Sequence, residues 1–180
     1  MHDRRSELAE NFTPWRDDDL QRRECVESAI EKFNEEESYL LKHRLSERCI
    51  CARFAIYLEA EVRKRISEEY VADVEYNKGM ENNGSLKKML HGKRIYPDLI
   101  VHKRGEDPVY GYDNMICIEM KKQEDPRGLE SDHTRLKELT YMGYDGAKFC
   151  YRSGFMLVAY KLPRGLEIEA EYIDGKQLKR

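Results

Sequence analysis

The segment Met115 to Met120 reads MICIEM and is apolar almost throughout. A strand buried on both faces reads this way, whereas a half-exposed strand alternates. Such a strand needs neighbours on both edges and cover on both faces. The chain supplies candidates for each. Phe155 to Leu162, FMLVAYKL, is a second apolar strand, and Ile95 to His102, with IYPDLIV, is a third. Val71 to Tyr76 alternates as a further strand. Leu166, Ile168, Ala170 and Tyr172 alternate with Glu167, Glu169 and Glu171, the pattern of an edge strand with one wet face.

The cover is helical. Leu20, Cys25, Ala29 and Phe33 recur at helical steps over residues 20–37. Residues 40–66 give the stronger signal. Leu41, Leu45, Cys49, Ala52 and Ile56 form one apolar row, and Ile50, Phe54, Leu58 and Val62 a second, which predicts a helix covered on more than one side. Asp125-Pro126 fits a helix start, with Leu129, His133, Leu136 and Leu139 continuing it to about Tyr144. Asn82 to Ser85 and Gly105 to Asp113 read as loops. The expected order is α-α-β-β-β-α-β-β, an α/β (α+β) mixed sheet flanked by helices. Residues 1–38 read as a polar lead-in with an N-terminal helix, and 39–180 as one domain.

Composition removes several classes. Charged residues make up 37% of the 180, yet 40% are apolar, enough for a core. Nothing approaches the roughly 20 apolar residues of a membrane span, and the N-terminus lacks the apolar stretch of a signal peptide. Five cysteines without a CxxC pair argue against a disulfide framework or a zinc cage, and a reducing cytoplasm is the expected setting. No GxSxG, GxxxxGK[ST] or GxGxxG occurs, which leaves hydrolase elbows, nucleotide hydrolysis and dinucleotide binding unsupported.

Net charge is −3, but it is unevenly spread. From Leu86 to Arg104 six basic residues, Lys87, Lys88, Lys93, Arg94, Lys103 and Arg104, face Asp98 alone. Such a patch can grip a polyanion while the chain as a whole stays acidic; a solvated lysine-rich loop is the competing account.

Chemistry concentrates where two expected strands meet. Asp98 begins one, and Glu119 and Lys121 end the next. Side chains two apart in a strand share a face, so Glu119 and Lys121 point together and Met120 points into packing. If the strands pair, Asp98 comes beside Glu119. Two neighbouring carboxylates repel unless a cation sits between them or one binds a proton. Carboxylates with a backbone carbonyl suit Mg²⁺ or Mn²⁺.

Pro97-Asp98 followed by Glu119-Met120-Lys121 resembles the PD-(D/E)xK nuclease superfamily, the restriction-endonuclease-like fold. Residues 40–162, about two thirds of the chain, follow that family's α-β-β-β-α-β order. The resemblance implies a metal-dependent nuclease cleaving nucleic acid, with DNA the expected substrate. It implies that Asp98, Glu119 and the Met120 backbone carbonyl hold Mg²⁺ or Mn²⁺, and that Lys121 positions the attacking water. An additional acid on the preceding helix matches Glu47, in LSERCICARFAIYL, acting directly or through water. The alternatives are a cross-strand salt bridge for Glu119 and Lys121, a surface ion pair with Arg44 or Arg48 for Glu47, and a non-catalytic binding or assembly protein that keeps the fold. Asp73 and Glu75 could face the site or be ordinary strand acids. His133, Arg135 and Lys137 could touch phosphate or form a solvated helix face. Tyr96 could stack on a base or pack in its strand. Membrane association is not expected; a homodimer or a partner protein is left open.

Overall fold

The computed structural model describes residues 16–77, 79–81, 84–86, 89–104, 114–123, 125, 127–141 and 150–178. Among the described residues, three helices, α1 (Arg16–Glu36), α2 (Ser38–Lys42) and α3 (Glu47–Arg65), precede β1 (Val71–Val74). Two small hairpins follow, β2 (Gly79–Glu81) with β3 (Gly84–Leu86), and β4 (Met89–Leu90) with β5 (Lys93–Arg94). Then come β6 (Leu99–His102), β7 (Asn114–Lys122), α4 (Leu129–Thr140), β8 (Ser153–Ala159), β9 (Leu166–Ile173) and β10 (Lys176–Gln177).

Six strands form one mixed sheet in the order β1-β6-β7-β8-β9-β10. All neighbours are antiparallel except β7 and β8, which run parallel and are joined through α4. MICIEM lies in β7 near the sheet centre, and residues 114–120 are all buried. The side-chain alternation of β7 divides the core in two. Ile116, Ile118 and Met120 pack toward α1 and α3, with Phe33, Phe54, Leu58 and Val62. Cys117 turns the other way, toward Leu136 and Leu139 of α4. The sheet is therefore sandwiched between α1 with α3 on one face and α4 on the other, an α/β fold.

The first helix is integral to that core. Cys25, Val26, Ala29 and Phe33 are fully buried. Asn34 also ties α1 to β9: its amide donates to the Leu166 carbonyl at 3.0 Å, and its oxygen accepts from the Leu166 N–H at 2.7 Å. Glu61 of α3, 2% exposed, is held by Lys32 of α1 and by Arg65. A buried carboxylate flanked by two cations keeps its charge at tolerable cost.

Several sequence expectations need correction. The helix expected over 40–66 is broken at residues 43–46, where Arg44 has φ 53° and the Ser46 hydroxyl accepts from the Cys49 N–H at 3.3 Å. A serine N-cap satisfies an amide that an uninterrupted helix would bond internally, so α3 restarts at Glu47. Its second apolar row is core, but Ala52 and Ile56 of the first are exposed, so cover lies on one side only. The helix expected from Asp125-Pro126 begins instead at Leu129, after Gly128 at φ 76°. Asp125 is occupied by the Arg127 N–H and guanidinium.

The last two concern strands. Of Asn82 to Ser85, read as a loop, Gly84 and Ser85 belong to β3, and the second hairpin, β4–β5, follows. The β4–β5 turn is His91-Gly92, both at positive φ, the two-residue geometry that matches strand twist and favours glycine second. The pattern of β9 predicts a sheet edge with three wet glutamates. The strand lies instead inside β10 along Tyr172–Ile173, and a bulge opposite Met156–Leu157 skips Glu169. Ile168 therefore packs with the α1–α3 core and Ala170 with the α4 core. The shift buries Glu171 against Arg23 of α1, at 3.3 Å.

Candidate active site

β6 and β7 pair with Leu99 opposite Ile118. One residue further out, Asp98 faces Glu119. Directly opposed residues on one face of an antiparallel pair have their Cβ atoms about 5 Å apart, close enough for carboxyl contact. The Asp98 Oδ2 accepts from the Met120 backbone N–H at 2.8 Å, which fixes the aspartate at the end of β6. The Asp98 and Glu119 carboxyls lie within hydrogen-bonding reach of each other.

Both acids are displaced in pKa. Burial pushes Glu119, 1% exposed, well above the ordinary carboxylate value; the Asp98 charge adds to this, and Arg135 opposes it. Burial also raises Asp98, against the Met120 N–H and the charge of Lys121. A raised pair of this kind is the signature of two carboxyls without a full complement of cations.

Lys121 follows two residues on and shares the face of Glu119. Its ammonium pairs with the Asp132 carboxylate of α4 at 2.8 Å. Burial pulls the Lys121 pKa down, but the bond to Asp132 and the charges of Asp132, Glu47 and Asp98 outweigh it and hold the pKa above the ordinary lysine value. Arg135, one turn along α4, donates to Asp132 at 2.7 Å and to Glu119 at 2.9 Å. The helix thus contributes an acid and a base that bind the strand's base and acid.

Glu47 sits at the first position of α3, where its Oε1 accepts from the Lys122 backbone N–H at 3.0 Å. It reaches the end of β7 as expected and lies within electrostatic range of Lys121. It does not join the Asp98–Glu119 contact, and among the described residues no three His, Cys, Asp or Glu side chains form a metal cage. Glu47 thus stands beside the two-carboxyl contact, bonded to the Lys122 backbone. Arg48, one of the two arginines weighed as a surface partner for Glu47, pairs instead with Glu75 at 2.7 Å.

The donor set still suits a hard cation. Strand N–H and C=O groups of one residue point to the same side, so the Met120 carbonyl faces the β6 edge on which its N–H meets Asp98. β6 residues pair with β7 only as far as Leu99. Two carboxyls and a carbonyl, completed by water, fit Mg²⁺, which retains several waters and asks for one or two protein carboxylates.

The basic patch is divided. Lys93 and Arg94 are exposed on β5, and the hairpin is tied to α4 by the His91 ring and Glu138 at 2.8 Å. Lys103 and Arg104 follow the opposite end of β6, roughly 20 Å from Asp98 along the strand at about 3.3 Å per residue. There Lys103 pairs with Glu69 at 2.8 Å and Arg104 with Asp73, which His102 also contacts. The four described bases of the expected patch thus lie in two groups, one on β5 and one beyond the far end of β6. Lys87 and Lys88 lie outside the residues whose side chains are described. Tyr96, two residues before Asp98, is 48% exposed rather than packed.

Sequence reasoning missed Asp132 and took Arg135 for a solvent or phosphate contact. Asp132 lies four residues before Leu136 and seven before Leu139, on the buried stripe of α4, and an acid on such a stripe signals an internal partner. His133, which the pattern placed on that stripe, instead meets the Tyr172 hydroxyl at 2.5 Å. A groove of about 510 Å³ lies elsewhere, between α3 and β1, and is lined by Ala52, Ala55, Ile56 and Val74 among others.

Comparison with family models, with curated proteins and with solved structures gives no match for this chain. Fold and geometry therefore carry the functional argument alone. They define a mixed α/β protein with an acid pair and a lysine on the α4 face of its sheet. No helix among the described residues is long and apolar enough to cross a membrane.

Proposed function

We propose that this protein is a divalent-metal-dependent phosphodiesterase acting on nucleic acid, with DNA as the expected substrate, on a restriction-endonuclease-like core. The observation that carries the proposal is the contact between the Asp98 and Glu119 carboxyls on one sheet face, with Lys121 beside them. The succession α3-β1-β6-β7-α4-β8, antiparallel up to β7 and parallel from β7 to β8, supports the fold assignment.

Asp98, Glu119 and the Met120 carbonyl would hold the metal. When bound, Mg²⁺ or Mn²⁺ supplies charge that polarises the scissile phosphate and stabilises the transition state. Lys121, kept cationic by Asp132, holds the attacking water by hydrogen bonding and adds positive charge beside the phosphate. Glu47, bonded to the Lys122 backbone, fixes the end of β7 and thereby the Lys121 stem. Lys93 and Arg94 attract the phosphate backbone without reading bases.

One observation favours a second account. The pairs Arg135–Glu119 and Lys121–Asp132 supply counter-charge to the acids from within the protein, as a non-catalytic member of the fold would. Metal-dependent cleavage of plasmid and single-stranded DNA separates the two. The nuclease account expects product with Mg²⁺ or Mn²⁺, none in chelator, and a loss of at least about a hundredfold in Lys121→Ala, on the scale of other positioned charge groups. Equal traces of product from wild type and Lys121→Ala would leave the non-catalytic account standing.

A further inference from the structure

Asp132 is 3% exposed and holds two cations, Lys121 and Arg135. Arg135 reaches past it to Glu119, so one guanidinium bridges an acid of α4 and an acid of β7 through separate nitrogens. The planar fork of arginine suits this double contact, which a lysine could not reproduce. The same Glu119 is one of the two carboxyls assigned to the metal. A divalent ion seated on it would lie against a guanidinium at contact range, where like charges repel strongly in a partly dry site. Arg135 holds the Oε1 oxygen of that carboxyl, so a divalent ion arriving there competes with the guanidinium charge.

We propose that Arg135 takes the cation's place on Glu119 in the metal-free protein and gives it up when a divalent ion binds. Asp132 retains the guanidinium after the exchange, so the change is a side-chain swing on a fixed helix. Arg135 is then a positioning residue with two effects. It sets metal affinity below what the acid pair alone would give. It also leaves the Nη1 donor, freed from Glu119, where a phosphate oxygen can accept from it. The proposal rests on the nuclease account of Asp98 and Glu119.

The test is Mn²⁺ binding to the full chain without nucleic acid, read from the paramagnetic resonance signal of free Mn²⁺. Wild type is compared with Arg135→Gln, Arg135→Lys and Lys137→Gln, the last removing an exposed charge from the same helix. Arg135→Gln should bind Mn²⁺ at least about tenfold tighter, since a like charge at contact range is gone. Lys137→Gln should stay within about twofold, at a distance where screening dominates. Arg135→Lys keeps the charge and the fold without the fork, and should fall between wild type and Arg135→Gln. A second readout follows the exchange itself. The arginine Nε–H resonance that disappears in Arg135→Gln should shift when Mg²⁺ is added to wild type, and should not shift in Glu119→Gln. Equal or weaker Mn²⁺ binding in both Arg135 variants, or an unmoved Nε–H signal while metal binds, overturns the proposal and leaves the nuclease account intact. Absence of Mn²⁺ binding in wild type and variants alike overturns both.

Discussion

Asp98 stands across from Glu119 just before β6 begins, where β7 runs on past it, and their carboxyls lie within hydrogen-bonding reach. Neighbouring residues supply part of the charge this contact needs: the Met120 N–H on Asp98, and Arg135 on Glu119. The remaining imbalance is visible as raised pKa values on both acids, and it makes the site sensitive to pH, to charge removal and to added cations.

The pH dependence of stability follows in sign. Both carboxyls titrate higher in the folded protein than the value of about 4 they have in an unfolded chain. Between those values the native state binds more protons, so chelator-treated protein should lose stability as pH rises from about 4.5 toward neutrality. The acids held low by cations, among them Asp125 at about 2, have their effect below that window. Asp98→Asn keeps an acceptor for the Met120 N–H and gains a donor toward Glu119. It should melt at or above wild type in chelator near pH 7.5, with a flatter pH profile. A melt clearly below wild type would make Asp98 an ordinary structural carboxylate.

Removal of Asp132 should be costly. Asp132→Ala strips Lys121 and Arg135 of their shared partner in a mostly buried setting. Breaking a buried pair from one side costs about 3 kcal/mol, or roughly 6–12 °C in Tm for a chain of this size. Asp132→Asn, which keeps an oxygen for Arg135, should lose less. Thermal melts within about 2 °C of wild type for Asp132→Ala would show that the α4 cations find other partners.

Nucleic-acid affinity should depend on one half of the basic segment. Lys93 and Arg94 are exposed on the hairpin that precedes Asp98, whereas Lys103 and Arg104 are engaged by Glu69 and Asp73. The double variant Lys93→Ala/Arg94→Ala should reduce the log–log salt slope of DNA binding by about 2, close to one for each phosphate no longer neutralised. Lys103→Ala/Arg104→Ala should leave the slope unchanged. The opposite result in filter-binding titrations would put the polyanion on the other end of β6.

The sequence made the sheet centre legible because burial on both faces leaves an uninterrupted apolar run, as in MICIEM and FMLVAYKL. It also placed Asp98, Glu119 and Lys121 on one face, since strand alternation needs only the register of two paired segments. Glu47 was legible as an acid near the site, but its bond to the Lys122 N–H depends on the break at Ser46, which the continuing apolar rows masked. The role of Arg135 was hidden because a guanidinium on a helix reads as solvated unless the acid it reaches is known. Asp132 carried the missed signal. The bulge at Glu169 left no mark at all, because alternation continues through it in the sequence while the faces exchange in the sheet.

The central claim is that Asp98 and Glu119 together hold a divalent cation. Its most direct test is an anomalous difference map from a crystal soaked in Mn²⁺, collected for wild type and for Glu119→Gln. The account predicts a Mn²⁺ peak between the Asp98 and Glu119 carboxylates in wild type, with the Met120 carbonyl in its shell, and a weak or absent peak in Glu119→Gln. A wild-type map with no peak there, and with Arg135 still bonded to Glu119 at saturating Mn²⁺, would contradict it.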